Sequence, residues 1–329
     1  MFAPKSSVFA ARCPCSSFWN SRIHDISPPR LCRAVYSISR MIRILGTIFA
    51  GLLGLAFGSF LNVCLSRWPA GESIVKPRSH CRQCNRTLAW WENVPLISWL
   101  ALRGRCRTCR AWIGWRYPLV ELAIGGLWAF IAWGSKEAFF PFQFDVGMML
   151  FTWMLVGLAV FDAEHLWLPN MITLPGTAIG FVAFILRIKK SSDNVFSYYG
   201  ALSLQKRFLF EASFRALLGI LIAAGLILLI RWLYWLIRRR EGIGLGDAKL
   251  MALLAAWLGL PGALLSFGLG VVLGALVAIV LLIVPSARRE SENWALGKLP
   301  LGTFLCIGGI VSSLWGQPIL AAYLRWAGF

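Results

Sequence analysis

Two aspartates stand at the ends of apolar runs in a chain with few acids. Asp162 ends one run in FDAEHLWLPN, and Asp247 begins another in GLGDAKL. An acid in a membrane segment is costly and is by default a functional group with a partner. Two close carboxylates share one proton, so the ionised one takes a proton from water while the protonated one polarises a carbonyl and later protonates a leaving amine. The pair predicts metal-free aspartic protease chemistry. The alternative is that each acid only caps a helix at the water interface.

The neighbours of the second aspartate support the same chemistry. Gly244 and Gly246 precede it, and glycine lets the backbone of an extended peptide substrate come close; the alternative is an ordinary turn. Lys249 follows two residues after the aspartate, so on a helix it should face away and reach lipid phosphate. Glu164 and His165 are expected to be solvated loop groups, with His165 as a general base the alternative.

Four cysteines form a second chemical pattern. CRQC and CRTC supply Cys81, Cys84, Cys106 and Cys109, with 21 residues between the pairs. The pattern resembles a zinc site with four thiolates in a reducing compartment, with a gap slightly longer than the usual range of about 15 to 20 residues, and unliganded thiols are the alternative. A closed tetrahedral site leaves no position for water, so the zinc is expected to be structural and to stabilise the loop. His80, beside Cys81, is expected to be an ordinary loop histidine, with replacement of one ligand as the alternative.

Composition excludes an ordinary soluble globule. Of 329 residues, 58% are hydrophobic and only 14% are charged, with a mean hydropathy of +0.67. Soluble domains carry about a quarter charged residues. The net charge of +19 suits loops held against anionic lipid better than nucleic acid, because most basic residues lie between apolar runs and no nucleic-acid motif is present.

The elements that position the acids are apolar runs, since a membrane helix needs about 20 mostly apolar residues. Eight runs qualify, some of them short: 43–66, 118–134, 147–162, 170–187, 214–237, 248–260, 262–284 and 300–323. The arginine-rich segment after the first run should be cytoplasmic. With alternating helices, Asp162 and Asp247 then both fall at the cytoplasmic face. We predict an all-α polytopic membrane protein of about eight transmembrane helices with a zinc-stabilised cytoplasmic loop domain.

The expected organisation has five parts. They are a basic N-terminal extension (1–40), the first transmembrane helix (41–66), the four-cysteine loop (67–117), the transmembrane core with the aspartates (118–323) and a C-terminal tail (324–329). An upstream start before Met41 is favoured for the extension over a targeting peptide. Within the core, 187–215 is expected to be an inserted loop on the outer side.

Five motifs, in order along the chain, resemble those of the type IV prepilin peptidase family. GSFLNVCLSRWP is similar to the exit of the family's first helix, and the segment 81–122 to its cysteine-bearing cytoplasmic loop. FDAEHLWLPN and GLGDAKL are similar to its two aspartate motifs, and LPLGTFLCIGG to the start of its last helix. The first aspartate motif departs from the family in ending with Asn170, where aspartate is frequent.

The resemblance implies a GxGD-type aspartyl protease in the bacterial inner membrane, with its active site facing the cytoplasm. It implies that Asp162 and Asp247 are catalytic, that the four cysteines bind zinc, and that the basic leader of a prepilin or pseudopilin is cleaved after glycine. It further implies N-methylation of the new terminus with S-adenosylmethionine, for which only the loop 67–117 can be named. The alternatives are a transporter that uses the two aspartates as a proton or cation relay, and a scaffold in which the loop is a docking module.

Overall fold

The protein is an all-α bundle, as expected. The computed structural model describes residues 30–134, 142–199, 202–239, 244–283 and 300–328, and in these ranges β-structure is limited to two isolated bridges. The helices are α1 (Arg30–Arg67), α2 (Ile97–Ala101), α3 (Arg116–Gly134), α4 (Phe142–His165), α5 (Asn170–Tyr199), α6 (Leu202–Arg238), α7 (Leu245–Ile283) and α8 (Leu301–Trp326). Within the described residues, seven of them are long and apolar enough to cross a membrane. The chain is therefore a multi-pass membrane protein.

The difference between eight predicted runs and seven helices lies in α7, which contains both the sixth and the seventh run. Gly259 breaks it with a non-helical backbone (φ 72°, ψ 171°) that glycine adopts without a steric penalty, and Pro261 follows.

The neighbours of α7 along α8 show that the chain reverses at this break. Before it, Leu254 packs at Gly309. After it, the carbonyl oxygen of Gly262 accepts a hydrogen bond from Ser312, and Gly270 then packs at Leu305. Beyond the break, increasing residue numbers in α7 therefore meet decreasing residue numbers in α8. The two legs of α7 are antiparallel, and each corresponds to one predicted run.

The expected loop at 187–215 is wrong. Helix α5 continues to Tyr199 and α6 begins at Leu202, so all of this segment within the described residues is helical. The physical reason is that Gly200 is the only glycine or proline between residues 187 and 215, and polar side chains alone do not end a helix. Gln205 of α6 donates hydrogen bonds to Asp193 and Ser192 of α5.

The core centres on α4 and the first leg of α7. Phe151 stacks on Trp257 with ring centroids 5.0 Å apart, and the Trp257 indole donates to the carbonyl oxygen of Gly176 at 2.9 Å. These contacts join α4, α5 and α7 around buried side chains. The rigid centre fixes the end of α4 against the start of α7, and these are the two places that carry the aspartates.

The first helix begins at Arg30, upstream of Met41. The described part of the chain therefore includes the last eleven residues of the predicted extension as helix, and residues 1–29 lie outside the described residues.

Candidate active site

Asp162 lies buried near the end of α4, where the first turn of α8 holds its carboxylate. The Thr303 N–H donates to Asp162 Oδ2 at 2.7 Å, and the Thr303 hydroxyl lies 3.2 Å from the same oxygen. The Gly302 backbone N–H also interacts with this carboxylate. A helix N-terminus presents unpaired N–H groups and positive potential, so it binds a carboxylate well. Asp162 is thereby fixed in one orientation.

A glycine is required where α8 passes this carboxylate. A Cβ atom at Gly302 would lie 2.9 Å from both Cγ and Oδ2 of Asp162, closer than real Cβ contacts. The motif LPLGTFLCIGG thus supplies a glycine that admits Asp162 and a threonine that binds it. The motif is visible in the sequence, but the roles of Gly302 and Thr303 are not, because no pattern shows which helix start packs beside which acid.

Asp247 is the third residue of α7 and is also buried. The Gly244 backbone interacts with its carboxylate, and a Cβ atom at Gly244 would lie 3.6 Å from Asp247 Oδ2. Gly244 is exposed, whereas a Cβ atom added at Gly246 would lie 3.1 Å from Leu168 Cδ1, tighter than an ordinary contact. The two glycines therefore have different surroundings: the first borders open space beside the acid, and the second lets the α4–α5 connection pack closely.

The structure brings the two aspartates together. Their carboxylates are close enough for their charges to interact, and the buried Cys306 of α8 lies near both. The C-terminal end of α4 meets the N-terminal end of the first α7 leg here. This is the arrangement expected of two antiparallel spans. A pair of carboxylates at one helix-end layer can share a proton and act on one peptide bond.

The neighbouring polar residues are engaged elsewhere. The Lys249 ammonium donates to the Asn170 side chain at 2.7 Å, so the expectation that it reaches only lipid is incomplete. Glu164 is partly exposed and accepts a hydrogen bond from Arg116 at 2.7 Å, while His165 Nε2 lies 3.9 Å from Glu164. His165 is thus paired with an acid at the surface and is not placed as the base of the dyad.

The four cysteines form one cluster. The Sγ atoms of Cys81, Cys84, Cys106 and Cys109 all lie within 4.8 Å of one another, and those of Cys81 and Cys109 are 3.7 Å apart. Four thiolates around zinc at about 2.3 Å place sulfur atoms about 3.8 Å apart. The donor set therefore fits a tetrahedral metal ion. His80 lies outside the cluster, with its Nδ1 3.2 Å from the carbonyl oxygen of Arg78.

The two cysteine pairs belong to two turns with the same geometry. In each turn the residue after the second cysteine has a left-handed backbone, at Asn85 (φ 55°) and Arg110 (φ 54°), and donates its N–H to the carbonyl of Cys81 or Cys106. Backbone N–H groups, those of Cys109 and Thr108 foremost, lower the pKa of the Cys106 thiol to about 6. Such turns present thiolates to a metal, as the CxxC spacing predicted.

Polar contacts join the cysteine loop to the end of the bundle that carries the aspartates. Arg116 donates to Glu164 at 2.7 Å and to Ser66 at 3.0 Å, so it links α3 with α4 and α1. The N–H of Leu96 in the loop donates to Glu121 of α3 at 2.9 Å. The loop is therefore anchored at the same end of the bundle as the dyad.

Comparison with known families finds a match both for the region of the cysteine loop and for the region of the two aspartates. The chain matches the model of the bacterial peptidase A24 N-terminal domain over residues 52–135, which include the four cysteines, and that of the type IV leader peptidase family over residues 149–279, which include both aspartates. No solved structure matches the chain.

Curated relatives match over most of their length. A prepilin leader peptidase/N-methyltransferase of Pseudomonas aeruginosa is 35% identical over 302 residues, which cover 84% of this chain and 93% of that protein. Proteins of the same name from Stutzerimonas stutzeri and Aeromonas hydrophila are 35% and 32% identical and are covered to 93% and 92%. Similarity of this extent spans both the cysteine loop and the aspartate-bearing helices, and it shows that the chain belongs to the type IV leader peptidase family.

Proposed function

We propose that this protein is a membrane aspartyl endopeptidase that removes the basic leader of type IV prepilins or pseudopilins after a glycine, and then N-methylates the new terminus. The observation that carries the peptidase is the pair of buried carboxylates, Asp162 and Asp247, whose charges interact at one end of the bundle. Relatives named prepilin leader peptidase/N-methyltransferase support the substrate class and the second reaction.

The contacts of the dyad suggest how its proton is used. The Thr303 N–H donates to Oδ2 of Asp162, so this oxygen accepts and does not carry the acid proton. The shared proton is then held on the remaining oxygens of the pair, where it polarises the scissile carbonyl. The ionised partner takes a proton from the attacking water, and the protonated partner later supplies its proton to the leaving amine. Gly244, which is exposed beside Asp247, is where the substrate backbone approaches; Gly246 assists by letting Leu168 pack closely.

The second proposed reaction belongs to the loop 67–117. The four thiolates would hold zinc, which supplies stability to a segment with little apolar core and takes no part in the chemistry. S-Adenosylmethionine is the methyl donor that an N-methyltransferase of this family would use. We assign no residue to the donor, because nothing in the described loop distinguishes one pocket for it.

The proposed setting is the bacterial inner membrane with the dyad facing the cytoplasm. Arg82, Arg103, Arg105, Arg107 and Arg110 are exposed on the loop, and basic loops stay on the cytoplasmic side. Because Arg116 ties this loop to the helix that carries Asp162, the dyad lies on the same side. A substrate whose basic leader is followed by an apolar helix presents the junction between the two at the cytoplasmic face of the membrane, where the dyad lies.

The transporter alternative gains no support. Both aspartates lie at helix ends, not at the middle of a span, and the relatives carry peptidase names. The scaffold alternative required carboxylates that are too far apart to reach one peptide bond, whereas Asp162 and Asp247 are buried at the same end of the bundle.

The deciding experiment reconstitutes the purified protein with a prepilin and labelled S-adenosylmethionine and scores leader cleavage and label transfer separately. We expect Asp162→Asn and Asp247→Asn each to abolish cleavage while the protein still inserts, because neither residue alone can supply both an acid and a base. Normal cleavage by either variant would refute the dyad. Cleavage without label transfer by the wild type would remove the methyltransferase half only.

A further inference from the structure

Helix α3 has one exposed apolar face along its whole length. The side chains of this face are between 48% and 60% exposed, and they are Trp115, Leu119, Leu122, Phe130 and Trp133. The Leu119 N–H donates to the Trp115 carbonyl at 3.1 Å, so Trp115 continues the helical turn one residue before α3. At 100° per residue the five positions fall within an arc of about 80°. The other side of α3 packs on α1 and α4, so the exposed face of this membrane-spanning helix contacts lipid.

The tryptophans at the two ends of this face match the two surfaces of a membrane. Trp115 and Trp133 are separated by eighteen positions, which is about 27 Å along a helix at 1.5 Å per residue. The hydrocarbon core of a bilayer is about 30 Å thick, and tryptophan is enriched at both of its interfaces. Trp115 therefore lies at the depth of the lipid headgroups, on the side of the bundle that carries the cysteine loop.

Two tryptophans of the cysteine loop pack on Trp115. The ring centroid of Trp99 lies 4.5 Å from that of Trp115, and the ring of Trp112 lies 6.0 Å from both. The cluster is held in place, because the Trp99 indole donates to the Ile113 carbonyl at 3.1 Å and a Cβ atom at Gly104 would lie 2.9 Å from the rings of Trp99 and Trp112. The Trp112 ring is nevertheless 55% exposed. The loop thus extends the lipid-facing side of α3 with aromatic surface at headgroup depth.

Positive charge accompanies these rings. Arg103 and Arg105 are exposed on either side of Gly104. Arg105 stands opposite Trp112 in an antiparallel bridge, and residues directly opposite in such a pair carry their side chains on one face. The loop 67–117 contains ten lysines and arginines but only two glutamates. Basic side chains at a membrane surface are attracted to the phosphates of anionic phospholipids.

We propose that Trp112 and Trp115, supported by Trp99, bind in the headgroup layer of the membrane, and that Arg105 binds the phosphate of an anionic phospholipid there. Lipid is favoured over a second protein because the rings continue a lipid-facing helix side at the depth of the headgroups. The inference does not depend on the proposed peptidase function. It implies that the cysteine loop is held from two sides, by Arg116 against the bundle and by the rings against the membrane.

The first test measures the depth of the rings in the full-length protein in phospholipid nanodiscs. All tryptophans are replaced by fluorotryptophan, and the fluorine NMR signals of two of them are identified by their loss in Trp112→Phe and Trp133→Phe. A nitroxide on the lipid headgroup should broaden both signals more than a nitroxide near the end of the acyl chain or a soluble paramagnetic chelate. A Trp112 signal that is broadened mainly by the soluble chelate, or that differs from Trp133 in this order, would overturn the proposal.

The second test identifies the occupant. A benzophenone amino acid replaces Trp112, and lipid adducts are counted by mass spectrometry in nanodiscs with equal amounts of phosphatidylglycerol and phosphatidylcholine. Phosphatidylglycerol should be preferred about fivefold or more, and Arg105→Gln should lower the preference about fivefold, the effect of one basic residue at the surface.

The matched control for this test is Arg325→Gln, which removes the same charge from an exposed position at the end of α8. It should leave the preference at position 112 unchanged. A covalent dimer in place of lipid adducts, no adduct at all, or equal yields of the two lipids without the arginine substitution would each overturn the proposal.

Discussion

Replacing Gly302 by alanine should inactivate the peptidase without unfolding it. The new Cβ atom would lie 2.9 Å from Cγ and Oδ2 of Asp162 and 3.2 Å from Oδ1. Non-bonded carbon atoms settle at about 3.5–4.0 Å, so the carboxylate must move by about 0.5–1 Å. The movement is opposed by the Thr303 N–H, which holds the same Oδ2 at 2.7 Å. A misplacement of about 1 Å in a catalytic group costs about a hundredfold in rate, or about 2.7 kcal/mol of barrier.

The assay compares kcat for prepilin cleavage by the wild type, Gly302→Ala and Gly126→Ala. Gly126 lies in α3, and a Cβ atom added there would meet no heavy atom within 4 Å, so its substitution should leave kcat unchanged. In a helix, alanine is about 1 kcal/mol more favourable than glycine, so neither variant should lose thermal stability or insertion for that reason. A fall of about 30- to 100-fold in kcat with normal KM for Gly302→Ala alone is expected. A kcat of Gly302→Ala above half of the wild-type value would refute the packing of α8 against Asp162.

Three further predictions concern the partners of the site. Thr303→Val keeps the N–H contact to Asp162 but removes the hydroxyl, which contacts both this carboxylate and the carbonyl oxygen of Ala159, so kcat should fall about tenfold; unchanged kcat would contradict a role for the hydroxyl. Removing metal with a chelator should make the loop 67–117 sensitive to limited proteolysis, and an unchanged digestion pattern would contradict a structural metal. The hydrogen bond from Arg86 lowers the pKa of Glu92 from 4.5, so its stabilising effect is complete above that pH and is lost as the pH falls through the lower folded value. The difference in thermal stability between wild type and Glu92→Gln should therefore be constant from about pH 7 to pH 5 and shrink below about pH 4; a difference that grows on acidification would contradict the ion pair.

Hydropathy and loop charge were sufficient to place the two aspartates on one side, because the side of a span end depends only on the order and number of spans. They could not show which helices are neighbours. The contact of Thr303 with Asp162 joins positions 141 residues apart, and nothing in the apolar run at 300–323 distinguishes one neighbouring helix from another. Lateral packing in lipid is decided by the shapes of small residues, as at Gly302, and this information is weak in a single sequence.

The boundaries of the elements were also predictable from the sequence only in part. The CxxC spacing predicted the cysteine cluster because ligand geometry is local to two turns. The predicted loop at 187–215 was wrong because hydropathy reports where a chain leaves the apolar layer, not where its helix ends. The two runs in α7 were correctly separated because Gly259 and Pro261 mark the break in the sequence itself.

The anchoring of the loop favours a fixed order for the two proposed reactions. Cys109 precedes Arg116 by seven residues, which span at most about 25 Å even when fully extended. Arg116 in turn contacts Glu164, two residues beyond Asp162. An amine released at the dyad therefore arises within a short distance of the cysteine loop, while the apolar helix that bears it stays in the bilayer. Holding two sites at such separation gives an effective concentration in the millimolar range. Cleavage followed by methylation on the same molecule is then favoured by geometry, and this explains why the loop is tied so closely to α4.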